Sequence, residues 1–225
     1  MHKRPDKVRC HPLATKLVHF LTTKYMERLK FINAINTVTR ARLGTFSKLE
    51  KQFDGDWVRA WNHVKKEYNS KLDLDRLWDI VQRHKLDIIT IMDKTYPDCL
   101  RSIPHPPPIL YIKGNVKALS DGIAVVGTRK ITPYGKRVTA DIVDPLARAD
   151  LTIYSGLAYG VDTIAHQATL DAQGITVAVL PGGLDSVHPP GQEHLARRIL
   201  DSGGALVSEF APGFKPLPAS FRSAT

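Results

Sequence analysis

The sequence contains few of the features that stabilise secreted domains or anchor a chain in a membrane. Only two of its 225 residues are cysteines, Cys10 and Cys99, and neither lies in a C-x-x-C pair or a Cys/His ligand spacing. No run of about 18 apolar residues occurs, and the N-terminus lacks the apolar core of a signal peptide. We therefore expect a cytoplasmic protein with no disulfide, no metal site and no membrane contact.

Three widespread enzyme motifs are also missing. The run IAVVG is followed by Thr-Arg-Lys instead of G-x-G-x-x-G, and neither G-x-x-x-x-G-K-[ST] nor G-x-S-x-G occurs. These absences argue against NAD and ATP, and we predict no cofactor. Ser155, Asp162 and His166 resemble a nucleophile set, but Asp162 and His166 lie four residues apart on one predicted helix. That spacing is more typical of capping and packing, so we predict no catalytic residue.

Acidic residues are scarce in the first half of the chain. The formal net charge is +10. Residues 1–120 hold 23 Lys and Arg against 12 Asp and Glu, whereas residues 121–225 hold 9 against 10. A basic surplus of this size favours partners rich in phosphate, although a solvated basic surface would look the same.

Apolar spacing divides the chain into three parts. Residues 1–24 are basic and weakly patterned, and we interpret them as a flexible arm. Residues 25–72 carry apolar side chains at three- and four-residue spacing, which predicts a small helical domain. From residue 73 to 225, apolar runs alternate with helical segments, which predicts a doubly wound parallel sheet of the α/β class.

Four glycine-containing loops follow the predicted parallel strands. Ligands of open α/β sheets bind at the carboxyl ends of the strands, where glycine turns and helix N-termini attract anions. Arg129 and Lys130 add cationic donors directly after the first of these strands. The loops therefore predict a phosphate site, with tight turns as the alternative interpretation. They are GTRKITPYG (127–135), SGLAYG (155–160), PGGLDSVHPPG (181–191) and SEFAPGF (208–214).

These loops, in this order, resemble the motifs of the DNA processing protein A family (DprA, also called Smf). Members carry G-[ST]-R, then S-G-x-A-x-G-[IV]-D-x-x-A-H, then a G-G-L-D-type loop ending in P-P, then S-E-[FY]-x-P-G. This chain has VGTRKITPYG, SGLAYGVDTIAH, LPGGLDSVHPP and SEFAPG at those places. The resemblance covers residues 75–214 and implies a Rossmann-like domain preceded by a small helical module similar to SAM or helix-hairpin-helix folds. The module lacks the G-x-G turn of a DNA-binding hairpin, which leaves its contact with DNA open.

The resemblance also implies a function and a set of site residues. Family members bind single-stranded DNA during natural transformation, protect it, and help to load a RecA-type recombinase; they are not known as enzymes. Arg129 would be a principal phosphate contact, and carboxylates would orient loops because they oppose a phosphate chain. The implied phosphate-binding residues are Gly127, Thr128, Arg129, Lys130, Ser155, Gly156, Gly160, Gly182 and Gly183. The implied supporting residues are Asp162, His166, Asp185 and Glu209.

One departure from the family pattern concerns the end of the sequence. Relatives continue after S-E-[FY]-x-P-G into R-N-R-I-I-A-G-L and further strands, whereas this sequence ends at LPASFRSAT. We therefore expect an incomplete sheet in which ALVSEF has an unpaired edge and the chain tends to associate. The homodimer and the recombinase contact of the family are expected to be the first functions lost.

Two other function classes remain open from the sequence. The lysine-decarboxylase-like phosphoribohydrolases share a P-G-G loop, but they continue it as P-G-G-x-G-T, where this chain has Leu-Asp-Ser. A sensor of a small nucleotide in the same superfamily is the third possibility.

Overall fold

The computed structural model of the protein describes residues 12–40 and 44–216. Its first part consists of four helices, two of which begin at an aspartate cap. Asp56 accepts the Arg59 N–H at 3.0 Å, and Asp73 accepts the Arg76 N–H at 2.8 Å. The four helices are α1 (Pro12–Thr39), α2 (Thr45–Phe53), α3 (Trp57–Glu67) and α4 (Leu74–Arg83).

Helix α1 begins inside the segment that the sequence predicts to be a flexible arm. Proline at the first helical turn favours a start there, and no glycine or proline follows between residues 13 and 39. The expected arm is therefore corrected for residues 12–24, which are helical. Residues 1–11, with Cys10, lie outside the described residues.

The second part of the chain alternates strands and helices. Its strands are β1 (Asp87–Thr90), β2 (Ile109–Gly114), β3 (Gly122–Ala124), β4 (Thr152–Ser155), β5 (Thr176–Val179) and β6 (Ala205–Ser208). Its helices are α5 (Asp98–Arg101), α6 (Pro133–Arg148), α7 (Val161–Asp171) and α8 (Glu193–Asp201), with a 3-10 turn at Val116–Ala118.

The strands form one six-stranded sheet in the order β1-β2-β6-β5-β4-β3. Strands β3 to β6 are parallel, and β2 joins β6 in the antiparallel sense, with Tyr111 opposite Ser208. The parallel strands advance across the sheet in chain order, so right-handed crossovers place α6, α7 and α8 on one face. The predicted Rossmann-like α/β class is confirmed. The expected doubly wound parallel sheet is corrected in two respects: the sheet is mixed, because β2 pairs with β1 and β6 in the antiparallel sense, and α6, α7 and α8 share one face.

Strand β6 does not have the unpaired edge expected from the sequence. It lies between β5 and β2, because the earlier strand ILYIKG (109–114) fills the position beside it. The unpaired edges of the described sheet are those of β1 and β3. Residues 217–225 lie outside the described residues.

Alternating side chains give the sheet two buried faces. Tyr111 and Leu206 face the helices and join a core that includes Ile32 of α1 and Trp61 of α3. The helical part and the sheet thus share one continuous core. The opposite face is covered by α5 and the 3-10 turn, which pack on a second cluster that includes Ile112.

Within the described ranges, no helix is both long and apolar enough to cross a membrane. The same residues contain no group of three or more His, Cys, Asp or Glu side chains placed to hold a metal ion.

Candidate nucleic-acid interface

A cavity of about 260 Å³ lies at the carboxyl ends of β3, β4 and β5. The predicted glycine loops after these strands enclose it, as expected for an open α/β sheet. We call this cavity the crevice. Its lining residues are Val126, Gly127, Arg129, Gly156, Ala158, Tyr159, Asp162, Val179, Pro181, His188 and Pro189.

Asp162 organises the loop between β4 and α7 from within. Its Oδ2 accepts the N–H groups of Gly156 at 3.1 Å and of Ala158 at 3.3 Å. Burial raises the pKa of this carboxyl group, and the hydrogen bonds from the loop act in the opposite direction. The position in the first turn of α7 also suits a negative charge. The two loop N–H groups therefore bind an internal carboxylate.

Glycine is required where the first two loops touch. Gly160 has φ +90°, and a Cβ atom there would lie 2.1 Å from the Thr128 carbonyl oxygen. Next to it, the Val161 N–H donates to the same oxygen at 3.1 Å. A Cβ atom on Gly127 would come within 2.6 Å of Val161 Cγ2. The loop after β3 is thereby held against the N-terminus of α7.

Ser155 ties the end of β4 to the neighbouring strand. Its side chain is buried, and its Oγ donates to the Val125 carbonyl oxygen at 2.6 Å. The hydroxyl group thus stabilises the wall of the crevice.

Arg129 and Lys130 are exposed in the loop that follows β3. Arg129 lines the cavity. The Lys130 N–H donates to Thr128 Oγ1 at 3.1 Å, which fixes the backbone of the turn. The structure thus brings Gly127, Arg129 and Gly156 to one cavity, with Thr128 and Gly160 behind them.

Gly182 and Gly183 lie elsewhere than the sequence predicts. Both are buried beneath residues 211–216. The Gly183 N–H donates to the Phe214 carbonyl oxygen at 2.9 Å, and a Cβ atom on Gly182 would lie 2.8 Å from Pro216 Cγ. Close packing against 211–216 accounts for both glycines, and their role as phosphate contacts stays a prediction.

The remaining predicted residues take positions away from the crevice. His166 is fully buried, with Nδ1 2.7 Å from Thr176 Oγ1, and burial lowers its pKa to about 3. Asp185 accepts the Gly213 N–H at 2.7 Å. Glu209 lines a separate apolar cavity on the sheet face that carries α5.

Sequence reasoning did not single out Tyr159 and His188, although both lie in the loops that it identified. Tyr159 is 49% exposed, lines the crevice, and donates its hydroxyl hydrogen to the Pro190 carbonyl oxygen. His188 lines the crevice as well. The sequence signal that could have identified Tyr159 is its place as an aromatic residue in the glycine-rich loop SGLAYG, because an exposed ring offers a stacking surface to a base.

The fold and the crevice define a Rossmann-like protein whose loops bring an arginine and an aromatic ring together at the carboxyl edge of the sheet. The family model of DNA recombination-mediator protein A matches residues 87–223, more than half of the chain. The chain belongs to this family.

Individual relatives agree with this assignment. Protein Smf of Escherichia coli is 42% identical over 127 residues, which are 56% of this chain and 34% of that protein. The X-ray structure of DprA from Streptococcus pneumoniae is similar with a TM-score of 0.70 and 29% identity, covering 85% of this chain and 72% of that one. The structure of DprA from Helicobacter pylori, described for its single-stranded DNA binding mode, is similar with a TM-score of 0.54 and 30% identity, covering 62% of each chain.

The extent of these matches differs between sequence and structure. The chain spans between 29% and 61% of the length of the curated relatives that it matches. The likeness to the S. pneumoniae structure covers 85% of the chain, so it extends into residues before the family match at residue 87.

Proposed function

We propose that the protein binds single-stranded DNA in the crevice, with little preference for base sequence. The observation that carries this proposal is the placement of Arg129 and the exposed Tyr159 ring in one cavity at the carboxyl edge of the sheet. A guanidinium group suits phosphate oxygens, and an aromatic ring stacks on any base. The H. pylori relative, described for its single-stranded DNA binding, supports the same ligand.

The internal contacts of the loops support different roles for the predicted residues. Arg129 makes the principal phosphate contact, and Lys130 extends the cationic surface. Ser155, Gly156 and Gly160 shape the crevice through contacts inside the protein. The Ser155 hydroxyl and the Gly156 N–H make internal hydrogen bonds, and the Thr128 carbonyl oxygen occupies the space beside Gly160. The basic surplus of residues 1–120 adds long-range attraction to a phosphate chain.

The wider role proposed for the protein follows from its family. We infer that it acts in the cytoplasm during natural transformation, protects incoming single strands, and helps a RecA-type recombinase to assemble on them without catalysing a reaction. The exposed, free Cys99 suits a reducing compartment. The hydrogen bond from Gly213 to Asp185 supports a loop-positioning role for that carboxylate over a catalytic one.

Binding of a labelled oligodeoxynucleotide, measured by anisotropy over a range of salt concentrations, tests the proposal. Arg129→Ala should weaken binding and lower the magnitude of the log–log salt slope by about 0.7, the share of one phosphate contact on a single strand. Arg148→Ala is the matched control, because Arg148 is exposed at the C-terminal end of α6, which leads into the amino end of β4, opposite the crevice. Equal affinity and slope in Arg129→Ala and the parent would remove Arg129 from the site.

The enzymatic alternative has its own test. Nucleoside monophosphates incubated with the protein should show no release of base. Turnover that is abolished by Glu209→Gln or Asp185→Asn would replace the proposed function with a hydrolase.

A further inference from the structure

A basic run leads from the crevice onto helix α6. Residues 122–140 contain no Asp or Glu, and they hold four of the nine Lys and Arg residues in 121–225. Arg129, which lines the crevice, is the first of the four. The sequence between the proposed strand site and the first turns of α6 therefore adds positive charge and no carboxylate. The four residues are Arg129, Lys130, Lys136 and Arg137.

Tyr134 and Arg137 form an exposed pair at the start of α6. Tyr134 is 68% exposed, more than any other large apolar or aromatic residue that the structure describes. Arg137 is exposed three residues later on the same side of the helix, with its Cζ 5.8 Å from the centre of the Tyr134 ring. The first carboxylate on α6 is that of Asp141, about one turn beyond Arg137. The cation thus restrains a ring that is largely open to a ligand.

The first turn of α6 is fixed to the crevice loop. Thr132 caps the helix, and its Oγ1 accepts the Gly135 N–H at 3.1 Å. A Cβ atom on Gly135 would lie 3.0 Å from Ile131 Cγ1, so the loop and the turn pack closely. Tyr134 follows Arg129 by five residues, and even an extended chain of that length spans at most about 18 Å. The pair of Tyr134 and Arg137 therefore lies within reach of a strand that occupies the crevice.

The chemistry of this pair suits one unpaired nucleotide. An exposed aromatic ring stacks on any base, and a guanidinium group binds phosphate oxygens. The backbone of the helix start adds little, because Pro133 has no N–H group and that of Gly135 is bound by Thr132. An acidic protein segment would engage the cation but not the ring. The bases of a duplex are stacked on one another, so the ring favours a single strand, whereas the cation alone would not.

We propose that the bound strand continues from the crevice over the start of α6, where Tyr134 stacks on a base and Arg137 contacts an adjoining phosphate. The pair extends the binding site and favours single-stranded over double-stranded DNA. This inference rests on the proposed single-stranded DNA function, and it adds a second point of contact and a source of strand selectivity.

Anisotropy titrations with a labelled strand of about 12 nucleotides, and with a duplex of the same sequence, test the role of the ring. Tyr134→Leu should weaken binding of the strand about 5-fold or more, the lower limit for one stacked base, and should leave duplex binding unchanged. Tyr134→Phe keeps the ring and should match the parent. Tyr68→Leu removes a tyrosine that is 40% exposed at the end of α3, and this control should also match the parent. Strand binding by Tyr134→Leu equal to that of the parent, or an equal loss on the duplex, would overturn the proposal.

The salt dependence of strand binding tests the phosphate contact of Arg137. Arg137→Ala should lower the magnitude of the log–log salt slope by about 0.7. Arg59→Ala is the matched control, because Arg59 is an exposed arginine on α3 whose Cζ lies 5.9 Å from the centre of the Phe53 ring. This control removes the same charge from the helical part and should leave the slope unchanged. An unchanged slope in Arg137→Ala, or an equal decrease in Arg59→Ala, would overturn the assigned contact.

The length of the strand separates this inference from the proposed function. A strand of about 4 nucleotides, the lower end of single-strand site sizes, is expected to fill the crevice alone. Arg129→Ala should weaken binding of both lengths, and Tyr134→Leu should weaken binding of the longer strand only. Equal losses on both lengths in Tyr134→Leu would contradict a contact outside the crevice.

The remaining outcomes are equally distinct. Weaker binding in Arg129→Ala together with parent-like binding in Tyr134→Leu and Arg137→Ala would refute the pair and leave the proposed function intact. Absence of any strand binding by the parent would refute both. Polyglutamate binding that is lost in Arg137→Ala, with strand binding unchanged, would assign the pair to an acidic protein and overturn the proposal.

Discussion

Asp162 and Gly156 face each other across the turn between β4 and α7, with the Gly156 N–H 3.1 Å from Asp162 Oδ2. The carboxylate occupies the place that an anion would take in an open nest of N–H groups. The loop is therefore held in its shape by an internal contact that needs no added anion.

Asp162→Ala should destabilise the protein by about 1–3 kcal/mol, because it leaves the buried N–H groups of Gly156 and Ala158 without an acceptor. Urea denaturation measures the loss. Asp162→Asn keeps one oxygen acceptor and should lose less. Added inorganic phosphate should stabilise Asp162→Ala more than the parent, since it can fill the vacated nest. Equal stability of Asp162→Ala and the parent would contradict this account.

Gly160→Ala should cost about 3 kcal/mol or more and should weaken strand binding. The new Cβ atom would collide with the Thr128 carbonyl oxygen, which forces the two crevice loops apart. Gly55→Ala is the matched control, because Gly55 also has a positive φ, +71°, but has no atom within 4 Å of the new Cβ position. It should cost only about 1 kcal/mol. Thermal or urea unfolding of the two variants decides the matter, and equal costs would show that the contact between the loops is unimportant.

His166 should make the protein sensitive to acid. Its folded pKa, about 3, lies below the ordinary value of 6.5, so the unfolded chain binds the proton first as the pH falls. The contribution of neutral His166 to the unfolding free energy is therefore fully present above pH 6.5 and is lost as the pH falls toward 3. Between pH 7 and pH 5 this one group should remove about 2 kcal/mol. His166→Gln lacks the titrating group, and its unfolding free energy should fall less over that interval. Parallel pH profiles for the two proteins would refute the assignment.

The alternation of strands and helices, and the loops at the strand ends, could be predicted because apolar periodicity and glycine turns are local signals. The neighbours of β6 could not. The antiparallel partner ILYIKG lies almost a hundred residues earlier, and hydrophobic runs do not reveal which strands pair. The same limit hid the common core of the helical part and the sheet.

The candidate site was predictable in its location but not in its inner contacts. Glycine at 160 and at 183 looks alike in sequence, yet one faces a neighbouring loop at the crevice and the other lies under residues 211–216. Nor does a sequence show that Asn36 on α1 meets the segment after β6, since that contact depends on how the helices pack against the sheet.

Association of the protein should depend on the free edge of β3. All three residues of this strand are exposed. Ile123 in the strand is 38% exposed, and Val126 in the loop after it and Ile142 on α6 are 51% and 55% exposed. An unpaired edge flanked by apolar side chains favours pairing with a second chain, and a charged residue on such an edge opposes it. Ile123→Lys should therefore raise the dissociation constant on the order of tenfold or more, because burial of one isoleucine contributes about 1.5–3 kcal/mol. Light scattering over a range of protein concentrations measures the change.

Val58→Lys is the control, since Val58 is 48% exposed on α3, away from the sheet edge. If both variants associate as the parent does, the β3 edge is not the contact between copies. If only Val58→Lys dissociates, that contact lies on the helical part.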